Sequence, residues 1–170
     1  MFENLLQTNY NKSVIGYENI CNVLKNIYHG NQKSLEYIKY FNIQLIISIE
    51  KDNSNNKHKN LDNVEDNLEL IKITIKKEDK LIKFYDKIWD LFEKNYKKNI
   101  LIQCEDGSIS LLLLLSYLIA YKYYTYESAF EYILVKKHNE VNISLLNKDY
   151  LDELIELDKD LRHFRNKISI

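Results

Sequence analysis

Residues 100–110 read Ile-Leu-Ile-Gln-Cys-Glu-Asp-Gly-Ser-Ile-Ser, which sets a cysteine at the end of a short β-branched run. Gly107 follows three residues later, and an apolar stretch of helical length begins at Ser110. This is the layout of a nucleophilic thiol on a strand-to-helix turn. Backbone N–H groups and a helix N-terminus converge there on an anion. Cys104 is therefore the candidate nucleophile. Few other side chains offer themselves as its partners. His29 is assigned to a turn and His58, His138 and His163 to the surface, and spacing builds no triad with Cys104. The second cysteine, Cys21, reads as a core residue.

The elements that must position Cys104 follow from hydrophobic periodicity. Ile20–Tyr28 alternates loosely and leads into a turn at His29-Gly30-Asn31. Leu35, Ile38 and Phe41 have helical spacing. Ile43–Ile49 and Leu68–Ile75 read as strands, and Ile100–Gln103 as the strand that delivers the cysteine. Leu81, Phe84, Tyr85, Ile88, Trp89, Phe92 and Tyr96 mark one face of a long helix. Ser110–Tyr121 is nearly all apolar and hence a central helix. Thr125 is the expected N-cap of the next helix, through about Lys137. Tyr150, Leu151, Leu154, Ile155 and Leu157 mark a last one. Residues 1–18 are polar with scattered apolar positions and could form a leading helix. Lys51–Asn67, rich in Asn and Lys, is expected to be a mobile loop. Strands alternating with helices make an α/β layered domain.

Composition narrows the class. The chain has 170 residues, enough for one domain with its own core. Hydrophobic residues make up 45% and charged residues 29%, as in soluble globular proteins. A net charge of −1 gives no global positive field for nucleic acid or anionic membrane, so neither is an expected partner. Two cysteines supply neither a disulfide framework nor metal-ligand spacing, so no metal or cofactor is expected. The N-terminus lacks the regions of a signal peptide, and the longest apolar run, Leu111–Leu115, is too short to span a bilayer. A cytoplasmic protein is expected. There is no proline, there are 14 tyrosines, and lysine supplies nearly all of the basic residues. That bias points to an AT-rich genome.

Around Cys104 the sequence resembles the phosphate-binding loop of the protein tyrosine phosphatase superfamily, whose dual-specificity branch reads H-C-x-x-G-x-S-R-[ST]. Other blocks are similar to that family in the same order. They are Ile27-Tyr28-His29-Gly30-Asn31, Asn42–Ile49, Ser116-Tyr117-Leu118-Ile119, Glu127-Ser128-Ala129-Phe130, Val135-Lys136-Lys137 and Asn147–Leu154. The likeness covers about residues 20–160. It implies a three-layer α/β domain with a central, mostly parallel sheet flanked by helices. The domain is placed at 20–162, between an N-terminal extension (1–19) and a C-terminal tail (163–170). Glu105, Asp106, Gly107, Ser108, Ile109 and Ser110 would form the phosphate-binding loop.

The departures from the family fall where the chemistry would occur. Counting forward from Cys104 puts Ser110 at the signature arginine. Aligning on Ser116–Ile119 shortens the loop by one residue and puts Ile109 there instead; this second alignment is preferred. Neither supplies a guanidinium, and the only two arginines are Arg162 and Arg165. Gln103 replaces the family histidine. The general-acid aspartate falls nearest Lys77, leaving Glu78 and Asp79 as substitutes within a solvated loop. The resemblance therefore implies an impaired phosphatase that binds a phosphorylated protein or another protein partner. The alternative is a divergent active phosphatase on Tyr, Ser or Thr phosphates, in which Ser110 could assist thiolate departure. An RNA 5′-triphosphatase is disfavoured for want of a basic groove. Residues 1–18 leave room for a homodimer.

Overall fold

In a computed structural model the structure describes residues 19–52 and 67–168. The expected leading helix, the segment for homodimer formation and most of the Asn- and Lys-rich loop lie outside these residues. Among the described residues five strands form one sheet: β1 (Ile20–Leu24), β2 (Ile27–Gly30), β3 (Leu45–Lys51), β4 (Glu69–Ile75) and β5 (Ile100–Cys104). Their order is β1-β2-β5-β3-β4. The β2–β5, β5–β3 and β3–β4 pairs are parallel, and only β1–β2 is antiparallel. The mostly parallel sheet is as expected.

The hairpin differs from the sequence expectation. Ile20–Tyr28 is not one segment running into a turn at His29. It is broken at Lys25-Asn26 into two short strands, with Asn26 in the left-handed region at φ 64°. Asparagine tolerates that conformation better than most residues, so the turn closes without glycine. His29 consequently lies inside β2, paired with Ile102 of β5. Gly30 ends the strand where nothing larger fits: a Cβ there would lie 2.3 Å from the Asn19 carbonyl oxygen.

Among the described residues there are four α-helices: α1 (Tyr85–Lys94), α2 (Ser108–Tyr121), α3 (Tyr126–Lys136) and α4 (Lys148–Ile168). The long helix expected from Leu81 starts instead as a 3-10 turn, Leu81–Phe84, before α1. The segment after Gly30 is a 3-10 helix, Gln32–Tyr37. Thr125 caps α3 as expected, accepting from Ser128 N at 3.1 Å while Ser128 Oγ accepts from Thr125 N at 2.9 Å. Helix α4 runs unbroken past residue 162 to Ile168.

Strand alternation distributes the core between two faces. Leu45, Ile47, Ile49, Ile100, Ile102 and Cys104 face the large cluster under the helices. Ile46 and Leu101 face a smaller cluster with Ile20 and Ile43, covered by Leu35, Tyr37, Ile38 and Phe41. Helix α2 runs through the large cluster, with residues Ser108 to Ile119 all buried. Leu114→Ala, at a fully buried position, should therefore cost about 2–5 kcal/mol in urea unfolding. Ile82→Ala, at a side chain 54% exposed, should stay within about 0.5 kcal/mol.

Candidate functional site

The parallel strand β5 ends at Cys104, and the chain turns through Glu105 and Asp106 to Gly107. Gly107 has φ 78°, a left-handed conformation that permits the tight entry into α2. Helix α2 begins at Ser108, so its first turn holds Ser108, Ile109 and Ser110. All the residues proposed for the loop are thus brought together by one strand end and one helix start. The cysteine is 5% exposed, and burial pushes its thiol pKa up. The Ser110 hydroxyl, 3.4 Å from Sγ, and the backbone N–H groups of Ser110 and Ile109 act in the opposite direction. Burial dominates, so Cys104 is a protonated thiol at neutral pH.

Asp106 is the anion nearest these donors. Its Oδ1 accepts from Ser108 N at 2.9 Å and from Ser108 Oγ at 2.6 Å. The Cys104 thiol donates to the same oxygen at 3.6 Å. Lys51 at the end of β3 approaches Oδ2 at 4.0 Å. Burial pushes the Asp106 carboxyl up, but the Ser108 bonds and Lys51 together hold it below its ordinary range. The N-terminus of α2 therefore carries its own carboxylate.

Two clefts flank the turn. The larger, about 500 Å³, is lined by Lys51, Lys76, Lys77, Ser108, Ile109 and Tyr150, among others. The smaller, about 240 Å³, includes His29, Asp106, Gly107, Ser108 and Lys137. Ile109 is buried in the core cluster and forms part of the larger cleft wall. Gln103 turns to the opposite face of the sheet, where its amide donates to Ser48 Oγ at 2.7 Å.

Glu78 and Asp79 lie in the turn after β4 and line neither cleft. Asp79 accepts from Lys83 Nζ at 2.9 Å and from Lys76 N at 3.0 Å. The Lys83 bond foremost, and then the Lys76 bond, hold its carboxyl below the ordinary range. Lys77 lines the larger cleft. Both arginines are engaged far from the loop. Arg162 pairs with the buried Asp158, and Arg165 donates to the Ile119 and Ala120 carbonyls at the other end of α2.

His29 is the residue that the sequence reading misplaced. It is buried in β2, with Nε2 2.9 Å from the Gly107 carbonyl oxygen and 3.1 Å from Ser110 Oγ. The signal for it was parity: Ile27 and His29 share one face of the strand. Burial, with the nearby Lys137 charge second, pushes the His29 pKa well below its ordinary value. No group of three or more metal-ligating side chains occurs among the described residues. None of their helices is long and apolar enough to cross a membrane.

The sequence matches no family model and no curated protein. Solved structures do match. The human tyrosine phosphatase-like serine/threonine/tyrosine-interacting protein is 18% identical with a TM-score of 0.69, over 85% of this chain and 98% of that one. A leucine-rich repeat and phosphatase domain containing protein from Entamoeba histolytica is 13% identical with a TM-score of 0.65, over 87% and 96%. Human DUSP28 is 11% identical with a TM-score of 0.66, over 84% and 95%.

The buried histidine makes stability depend on pH. An unfolded histidine binds a proton near pH 6.5, whereas folded His29 resists it. Below that pH the unfolded chain holds the extra proton, so stability falls as pH falls, by up to about 1.4 kcal/mol per unit. Above it, both states are neutral and this contribution is flat. Urea unfolding at pH 7.5, 6.5 and 5.5 should reveal the slope, and His29→Gln should flatten it between pH 6.5 and 5.5.

Proposed function

We propose that this chain, which has the dual-specificity phosphatase fold of the protein tyrosine phosphatase superfamily, is a pseudophosphatase: a binding module with impaired catalysis. The observation that carries this reading is the absence of a guanidinium at the loop. Arg165 and Arg162 are held in the C-terminal part of the fold, and buried Ile109 stands at the clamp position. Arginine grips two phosphoryl oxygens in a planar fork that no other side chain reproduces. Losing two charge-assisted hydrogen bonds costs roughly 3–6 kcal/mol. Each 1.36 kcal/mol is tenfold in rate, so the deficit is about 10²–10⁴-fold before the acid is considered.

Two further observations support the reading. The protonated thiol of Cys104 is a poor nucleophile. Asp79 is turned back on its own segment, bound to Lys83 Nζ and the Lys76 N–H, and lines neither cleft, so it is not placed to protonate a leaving oxygen there. The proposed partner is a phosphorylated protein or another protein, with Lys51, Lys76 and Lys77 at the larger cleft as the charges that would receive a phosphorylated group. Phosphate in the loop itself binds weakly, because the Asp106 carboxylate competes for the same donors. Nucleic acid and membrane are not proposed as partners, and the proposed compartment is the cytoplasm. The segment before residue 19 is the proposed place for any homodimer contact.

The rival reading is a divergent active phosphatase with Cys104 as nucleophile and Asp79 or Glu78 as acid. In its favour, Ser110 and two backbone N–H groups already converge on the sulfur. Hydrolysis of a small aryl phosphate decides between the two. The purified protein should turn over no faster than Cys104→Ser, and turnover abolished by that substitution would establish the active enzyme instead. Ile109→Arg alone should not restore activity, because the new guanidinium would start from a buried site and would still lack an acid. Asp106→Ala should tighten binding of inorganic phosphate by about tenfold in calorimetry, by removing the internal competitor.

A further inference from the structure

Residue 29 is a buried titratable side chain that neither phosphoryl transfer nor partner binding requires. Its Nε2 lies 2.9 Å from the Gly107 carbonyl oxygen and 3.1 Å from Ser110 Oγ, and that oxygen lies 3.4 Å from Cys104 Sγ. A carbonyl oxygen can only accept, so Nε2 carries the ring hydrogen. Nδ1 is then the bare acceptor, and it is buried without a hydrogen-bond partner among the described residues. The contacts that choose this tautomer therefore come from the loop.

We propose that His29 is a positioning residue for Cys104, acting through Ser110. Ser110 Oγ also lies 3.2 Å from the Gly107 carbonyl, a second acceptor for its one hydrogen. The His29 Nε2–H donates to that carbonyl and to Ser110 Oγ, so it competes for the carbonyl and leaves the serine hydroxyl hydrogen to sulfur. The relay Nε2–H to Oγ–H to Sγ is a donor chain whose members polarise one another. It ends on an atom that accepts weakly as a thiol and strongly as a thiolate, so it favours the thiolate. The charged groups around the relay are Asp106, at 3.6 Å from Sγ; Lys51, which pairs with Asp106; and Lys137 at the end of α3, whose charge acts on His29. Gln103, the sequence neighbour of the cysteine, faces away and takes no part.

The test reads thiol ionisation, so its result is separate from that for catalysis. Alkylation of Cys104 by iodoacetamide is followed against pH in the full chain, with mass spectrometry separating it from Cys21. The midpoint of the profile, rather than its plateau, reports ionisation apart from access. Ser110→Ala and His29→Leu should each raise the midpoint and slow alkylation at pH 8 by about twofold to tenfold. His29→Gln, which keeps an N–H donor, should restore most of the rate. The double variant Ser110→Ala/His29→Leu should be no slower than Ser110→Ala alone. A double variant slowed by the product of the two single effects would overturn the relay. Nitrogen-15 NMR of the unaltered protein gives an answer that does not depend on any variant folding. A neutral Nε2–H imidazole at pH 7 is expected, and an Nδ1–H tautomer would overturn the proposal.

Discussion

The site is organised by one requirement: the central helix α2 begins inside the protein, and its first N–H groups need partners. The helix is buried from Ser108 to Ile119, so bulk water cannot serve along most of its length. An anion at this position is favoured both by the orphan donors and by the macrodipole. The chain meets the need from within. Asp106 accepts from Ser108 N and Ser108 Oγ, and Gly107 supplies the left-handed turn that lets the carboxylate reach them. The same geometry brings the Cys104 thiol to Asp106 and the Ser110 hydroxyl to Cys104. The Ser108 donors at the start of α2 are thus met by the chain's own carboxylate.

The proposed function separates binding from chemistry. Lys51, Lys76 and Lys77 line the larger cleft beside Asp52 and an apolar wall that includes Leu112, Leu145 and Leu146. In the proposed reading these point charges on flexible stems attract an acidic or phosphorylated surface. They do not reproduce a planar fork, and they do not hold a transition state in one orientation. Efficient transfer would need a low thiol pKa, a fixed clamp and a protonated acid together. Here burial raises the thiol pKa, buried Ile109 stands at the position proposed for the clamp, and Asp79 is engaged by Lys83 and the Lys76 N–H within its own turn. These features are independent of one another, so no single substitution reverses all three.

Much of the layout was legible in the sequence. The strand–cysteine–glycine–helix order is local, so spacing alone located the loop, and the apolar run after Ser110 identified the helix that fills the core. The missed features depend on contacts between distant segments. The β1–β2 turn uses Asn26 in place of the glycine that usually marks a tight hairpin, so the break between strands left little trace. His29 reaches the loop because β2 pairs with β5 in parallel, with His29 opposite Ile102, and such a register is not written in either segment alone. Lys76, Lys77 and Asp79 lie within four residues of the chain, yet the first two border the cleft and the third binds back to its own turn. Side-chain direction in a short loop is decided by neighbours that sequence spacing does not identify.

The arginines make the same point at the opposite end of α2. Arg165 donates to the carbonyls of Ile119 and Ala120 and stacks over Tyr123, with its guanidinium carbon 4.5 Å from the ring centroid. It thus places a cation where the helix presents unpaired acceptors. One turn earlier on α4, Arg162 pairs with Asp158, whose buried carboxylate accepts from Tyr126 N at the start of α3. The carboxylate of Asp106 at one end of α2 and the guanidinium of Arg165 at the other both lie along the favourable direction of its dipole. The central helix is stabilised at both ends by this arrangement. At the loop end, the Ser108 donors are already taken by Asp106.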